Sequence, residues 1–175
     1  MFWYIIDTNF SSNKKMFDLL NKQENIRAFI PKVEKWFKSH DLQEYQLRDM
    51  YPGYIFVETS FNEKEFKEKY LDLLKSVERL GKVLEKDEFI ALNSDERKML
   101  SDLLDNSNSI RHSRGKYNGD ELEIFKGPLK GFEKDIKKIN RHKRIAKVNF
   151  SILGKEMLLP LEVINKKGSV INGTR

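Results

Sequence analysis

The period of apolar and polar positions changes along this chain, and each change marks an element. Phe2-Trp3-Tyr4-Ile5-Ile6 is an unbroken aromatic and β-branched run, which predicts a buried strand. Met16, Phe17, Leu19 and Leu20 recur at helical spacing and predict a first helix near 13–22. Ile26 to Val33 reads as a second strand, with Pro31 suited to an edge or a strand end because it has no amide hydrogen to donate. From Glu34 to Asp49 the pattern turns polar with scattered aromatics (Trp36, Phe37, Tyr45), as in an exposed hairpin or a long loop. Tyr54 to Thr59 alternates strictly: Ile55 and Val57 fall on one face, Tyr54 and Phe56 on the other. Both faces are apolar, so helices are expected on the aliphatic side and a second layer or a partner on the aromatic side.

Asn62 and Glu65 have the spacing of a reciprocal helix cap, and Phe66, Tyr70, Leu73 and Leu74 follow on one helical face. A short strand is expected over 79–84. A further helix starts at Asn93 or Ser94, with Glu96 in support and Met99, Leu100, Leu103 and Leu104 as its apolar stripe. The turn-rich run Asp105 to Ser109 breaks the pattern. Beyond it come short β runs separated by glycine: 121–125, 135–140, 145–152, 155–159 and 163–164. Ile136 and Ile139 are three apart, so a bulge is expected between them. The order predicts an α/β sandwich over residues 1–105, a linker at 106–118 and a small closed β-barrel over 119–170, an α+β chain overall.

Charge sharpens this division. The 175 residues carry a net charge of +6, but residues 1–105 hold 17 Lys and Arg against 20 Asp and Glu, whereas 106–175 hold 16 against 7. A basic second half points to an anionic partner, most often nucleic acid. Cysteine is absent, which removes disulfides, thiol nucleophiles and thiolate metal sites. The three histidines, at positions 40, 112 and 142, include no i, i+4 pair, so neither a metal centre nor any cofactor is expected. No nucleophile elbow, zinc-protease helix or P-loop pattern is present; Gly127-Pro-Leu-Lys-Gly131 is too short for the last. The expected class is therefore a binding protein, not an enzyme. The longest apolar runs span about five residues, against the ~20 of a membrane helix, and no secretory leader is recognisable, so a cytoplasmic protein without membrane association is expected.

Two segments carry candidate contacts. Around Tyr54 the chain partly matches an RNA-recognition strand: Gly53, Tyr54, Phe56 and Val57 fit, while Pro52, Ile55 and Thr59 depart from it. These aromatics are read as base-stacking, core or protein-docking residues. The densest basic cluster is Lys137, Lys138, Arg141, His142, Lys143 and Arg144, at the expected turn between two barrel strands, where phosphate contacts would make binding salt-dependent.

Trp3-Tyr4, Tyr51-Pro-Gly-Tyr-Ile-Phe-Val57, Gly119-Asp120, Gly127-Pro-Leu-Lys-Gly131 and Ile152-Leu-Gly154, in this order, resemble the NusG family of transcription elongation factors. The resemblance implies an N-terminal NusG domain followed by a KOW domain, an SH3-like barrel. It implies that Tyr51, Tyr54 and Phe56 belong to a surface gripping the clamp helices of RNA polymerase. It also implies that the barrel tip, Ile152 and Leu153, meets a ribosomal protein or Rho, although Leu153 stands where the family has an aromatic. Lys134 and Asn140 replace the usual glycine and aspartate and add positive charge. Gly127-Pro-Leu-Lys-Gly131 with the basic run from Asn140 to Lys147 looks more like the LoaP-type antiterminators, whose KOW domain is associated with RNA hairpins, and the two charge-adding departures lean the same way. The expected function is a monomeric antitermination factor that binds polymerase and RNA, with nontemplate DNA a further ligand. The alternatives are a housekeeping factor coupling polymerase to the ribosome or Rho, and a plain RNA-binding protein.

Overall fold

A computed structural model describes residues 1–8, 13–78 and 89–165. The strand expected over 79–84 lies outside the described residues. The chain divides into two compact units: residues 1–31 with 50–97, and residues 32–49 with the chain from 98 onward.

The first unit is built on an antiparallel sheet of β1 (Phe2–Asp7), β2 (Ile26–Phe29), β5 (Tyr54–Thr59) and β6 (Ile90–Ala91), in the order β2-β5-β1-β6. Helices α1 (Asn13–Leu20) and α2 (Glu63–Glu78) contribute Met16, Leu20, Phe66, Tyr70 and Leu74 to the core on one face, where they meet Tyr4, Ile6, Ile55 and Val57. The aliphatic side of β5 is thus covered by helices, as its alternation requires. Asn62 starts α2 with a reciprocal cap: its side-chain oxygen accepts the Glu65 amide at 3.1 Å, and the Glu65 carboxylate accepts the Asn62 amide at 2.9 Å. Asn93 does the same with Glu96 for α3 (Ser94–Leu103), which makes Asn93, not Ser94, the cap.

The strand expected over 26–33 is two strands. β2 ends at Phe29 and β3 (Lys32–Lys38) begins after Pro31, whose ring fixes the break between them. β3 pairs with β4 (Gln43–Asp49) as a full hairpin, setting Trp36 opposite Tyr45. This hairpin belongs to the second unit, where β7 (Ser109–Ile110) adds to β3 in parallel.

The rest of the second unit is a five-stranded sheet in the order β10-β11-β12-β8-β9. Its strands are β8 (Ser113–Asn118), β9 (Glu121–Lys126), β10 (Ile136–Asn140), β11 (Ile145–Ile152) and β12 (Lys155–Ile164). The stretch expected as a linker therefore contains two strands. Asp105 anchors its start, accepting the amides of Ser107 at 2.8 Å and Ser109 at 3.0 Å, and the chain then runs directly into sheet pairing. Runs expected separately at 155–159 and 163–164 are one strand, because Pro160 needs no ladder donor at its position opposite Ile145. The pairing register shifts between Ile136 and Lys138, the irregularity expected from their spacing. A 3-10 turn at Glu133–Asp135 packs against both β9 and β11. Ile124, Leu129, Ala146, Val148, Ile152, Met157, Leu159, Leu161 and Val163 form the buried apolar set.

Candidate functional site

The basic cluster occupies the end of the β10–β11 hairpin, and the structure divides it. Lys137, Lys138, His142 and Lys143 are exposed. The Lys143 amide is fixed by the Asn140 side-chain oxygen at 2.9 Å, which shapes the turn. Arg141 is half-buried and lies over the Tyr117 ring at 5.0 Å. Arg144 turns inward. Its side chain is only 11% exposed, donates to the Glu162 carboxylate at 2.6 Å and stacks on Trp36 at 3.5 Å from the ring centre. It does not present a free charge to a ligand, and so departs from the role expected of it. The physical reason is Glu162, itself buried: an anion enclosed in a sheet needs cations, and Arg144 and Arg114 (Nε at 2.9 Å) supply them.

The hairpin that caps Arg144 is itself held by charge. Glu34 accepts the His112 backbone amide and faces the His112 ring nitrogen, each at 2.7 Å, and pairs with Arg111 at 3.3 Å. Burial pushes the Glu34 carboxyl up, but these hydrogen bonds outweigh it and hold it below the usual range. The Tyr45 ring stacks on His112 with 4.1 Å between centres, and Trp36 adjoins Tyr45 at 5.1 Å. Burial raises the Tyr45 phenol, partly offset by the nearby Arg144 guanidinium. Arg111 also bonds Asp105 at 2.7 Å. Sequence reasoning missed Glu34, Trp36, Tyr45, His112 and Glu162 as a set. The readable signal was Glu162: one acid inside the apolar run from Met157 to Ile164.

The aromatic segment of the first unit is placed differently from expectation. Tyr51 and Tyr54 stand at the two ends of a β-turn in which Pro52 and Gly53 fill the central positions. The Tyr54 amide donates to the Tyr51 carbonyl at 3.2 Å, and Gly53 has φ +87°, a left-handed value that favours glycine there. Phe56 is fully buried and Tyr51 is 7% exposed. Their rings lie 5.8 Å apart, in a chain that continues through Phe29 to Trp3. Phe56 is thus enclosed by the chain's own aromatic rings and offers no surface to a partner. Burial pushes the Tyr51 phenol up to about 12. Tyr54 alone of the three keeps partial exposure, next to its cross-strand neighbour Asp7; burial first, then that carboxylate, raises its phenol.

The Gly-Pro-Leu-Lys-Gly motif is architectural. A Cβ on Gly127 would lie 2.5 Å from the Ser113 Cα, and Leu129 is buried with its amide bonded to the Ser113 hydroxyl at 3.0 Å. At the far hairpin, Leu153 and Gly154 both have positive φ, as a two-residue primed turn demands. Ile152 is fully buried, so the tip presents Leu153 and Gly154 and not the expected Ile152.

Among the described residues no group of histidine and acidic side chains is arranged to hold a metal ion, and no helix is long and apolar enough to cross a membrane. A family model described as the transcription termination factor NusG matches residues 1–101. A comparison with curated proteins gives no match.

Proposed function

We propose, from the premise that the chain belongs to the NusG family of transcription factors, that it acts as a pathway-specific antiterminator. In this reading a NusG N-terminal domain over 1–105 docks on RNA polymerase and a KOW domain over 119–170 binds RNA through its basic turn. The chain works by binding, without catalysis or cofactor, in the cytosol. Holding polymerase in its processive state requires only that the factor bind that state better than the paused one.

The observation that carries the RNA half of this reading is the exposed run at the β10–β11 turn. Lys138 and Lys143 make no ion pair among the described residues, so their charge is available to phosphate. Four cations, Lys137, Lys138, Arg141 and Lys143, lie in the turn and the strand leading to it, with His142 between the last two. Side chains on such a hairpin end suit the irregular backbone of an RNA stem–loop better than the flat stacking of bases. The base-stacking alternative needs Phe56 at the surface, and Phe56 is enclosed.

Tyr54 is assigned the docking contact with polymerase. Completing the burial of a tyrosine that is at most about a third exposed contributes about 0.5–1 kcal/mol, or roughly two- to fivefold in affinity. The test is capture of RNA polymerase by the full chain and by Tyr54→Ala, followed by sequencing of the transcripts retained. Weaker capture by a variant with native circular dichroism is expected. Undiminished capture refutes the assignment, and a transcript pool without enrichment refutes the pathway-specific role.

A further inference from the structure

We propose that the β3–β4 hairpin positions the nucleic-acid-binding turn, with Arg144 as the positioning residue and Trp36 as its clamp. The inference rests on the reading of the β10–β11 turn as the RNA contact.

Arg144 adopts φ +52°, a left-handed value uncommon for a residue with a branched or long side chain. Such a conformation persists only where the surroundings over-determine it, and such positions cluster at functional sites. Here the surroundings are explicit. The Arg144 amide closes the turn onto the Arg141 carbonyl at 3.2 Å, and its own carbonyl accepts the Leu161 amide at 2.9 Å. Its guanidinium is fixed by Glu162 below and by the Trp36 ring at 3.5 Å, with Tyr45 at 5.9 Å. Trp36 is in turn placed by the cross-strand pair with Tyr45, and Tyr45 by its stack on His112, which Glu34 holds. The hairpin reaches the turn through a side chain more than a hundred residues away in sequence.

The consequence concerns Arg141, His142 and Lys143, which lie between Asn140 and Arg144. Their backbone is pinned at both ends, by the Asn140 side chain on Lys143 and by the anchored Arg144. A pinned turn presents its cations in one arrangement, so RNA binding does not have to order them first. Arg144 contributes to affinity without touching phosphate.

Direct and indirect contributions separate in the salt dependence. Each phosphate contact adds about 0.7 to 0.9 to the magnitude of the slope of log K against log salt. The experiment measures binding of a fluorescein-labelled RNA stem–loop to the full chain between about 50 and 200 mM salt. Lys143→Ala is expected to lower the slope by one contact. Trp36→Ala and Arg144→Gly are expected to weaken binding at least fivefold at fixed salt with the slope unchanged, and Trp36→Phe to restore most of the loss. Glycine adopts the left-handed conformation freely, so Arg144→Gly removes the anchor without adding backbone strain. A slope reduced by Arg144→Gly makes Arg144 a phosphate ligand and overturns the proposal, as does Trp36→Ala binding like wild type. Amide exchange gives a second readout independent of RNA. Trp36→Ala should speed exchange at Lys143 and Arg144 while Leu159 stays protected, and unchanged exchange there also overturns the proposal. Absence of salt-dependent binding by the wild-type chain refutes the RNA reading itself, and the exchange measurement still decides the positioning.

Discussion

Replacing Glu162 by glutamine tests the electrostatic centre of the second unit. The side chain is 9% exposed and faces two guanidinium groups, Arg144 at 2.6 Å and Arg114 at 2.9 Å. Glutamine keeps the volume but removes the charge, and its NH2 group turns hydrogens toward a guanidinium that can itself only donate. Each charge-assisted contact contributes about 1.5–3 kcal/mol. Arg114, with 35% of its side chain exposed, regains water and recovers much of its share, whereas Arg144, at 11%, does not. The expected cost is therefore roughly 3 kcal/mol, within the range for stranding one partner of a buried pair. The chain supplies its own probe. It has two tryptophans, Trp3 in the first unit and Trp36 in the second, so a Trp3→Phe background leaves fluorescence from Trp36 alone. At an m-value of about 2 kcal/mol per molar, 3 kcal/mol lowers the urea midpoint of the second unit by about 1.5 M. A shift under about 0.3 M would mean that water screens the pair as it screens surface pairs, and the claim of a buried centre would be wrong. Combining Glu162→Leu with Arg144→Met checks the interpretation, because an apolar replacement of both partners should recover stability that either change alone loses.

Gly127→Ala should destabilise the second unit at least twice as much as Gly131→Ala. Both positions have positive φ, but only the first would drive a Cβ into backbone, so equal drops in melting temperature would refute the close approach to Ser113. Asp105 gives a pH signature: burial raises its carboxyl, but Arg111, Ser107 and Ser109 outweigh that and lower it from 3.8 to about 2. Its contribution, about 1 kcal/mol once exposure is discounted, is fully present above about pH 4 and is lost as pH falls through about 2. Urea denaturation across that window should show Asp105→Asn abolishing this part of the acid sensitivity, and identical profiles would remove Asp105 as its source.

Local signals in the sequence located most elements of this fold. The caps at Asn62 and Asn93 were readable because the stabilising bonds close within three residues. Helices α1 to α3 followed from apolar spacing, and the irregularity in β10 from the distance between Ile136 and Ile139. The hairpin register of β3 and β4 was not readable, since polar residues alternate weakly there and Trp36 and Tyr45 look like exposed aromatics until Arg144 lies across them. The pairing of β7 with β3 was equally hidden: Asp105 to Ser109 has the chemistry of a linker, and only the distant ladder turns its end into a strand. The aromatic side of β5 shows the limit of alternation. It says that a face is apolar and needs cover, but nothing local tells whether that cover comes from the chain itself, as it does for Phe56, or from a partner.

The same limit applies to the basic cluster. Counting cations along a sequence treats each as free, yet a buried carboxylate elsewhere in the chain removes one from the count and changes its role. Glu162 lies 18 residues beyond Arg144, and the bond between them is a property of sheet pairing, not of the turn. Once that bond is formed, the charge of Arg144 no longer adds to the field seen by a distant anion, because Glu162 cancels it at close range. What Arg144 retains is geometry. It ties the end of a cationic turn to β12 and to the hairpin carrying Trp36, so the four remaining cations act from a fixed backbone. The field of the second unit and the shape of its contact surface thus come from different residues, which substitutions of charge and of packing can alter independently.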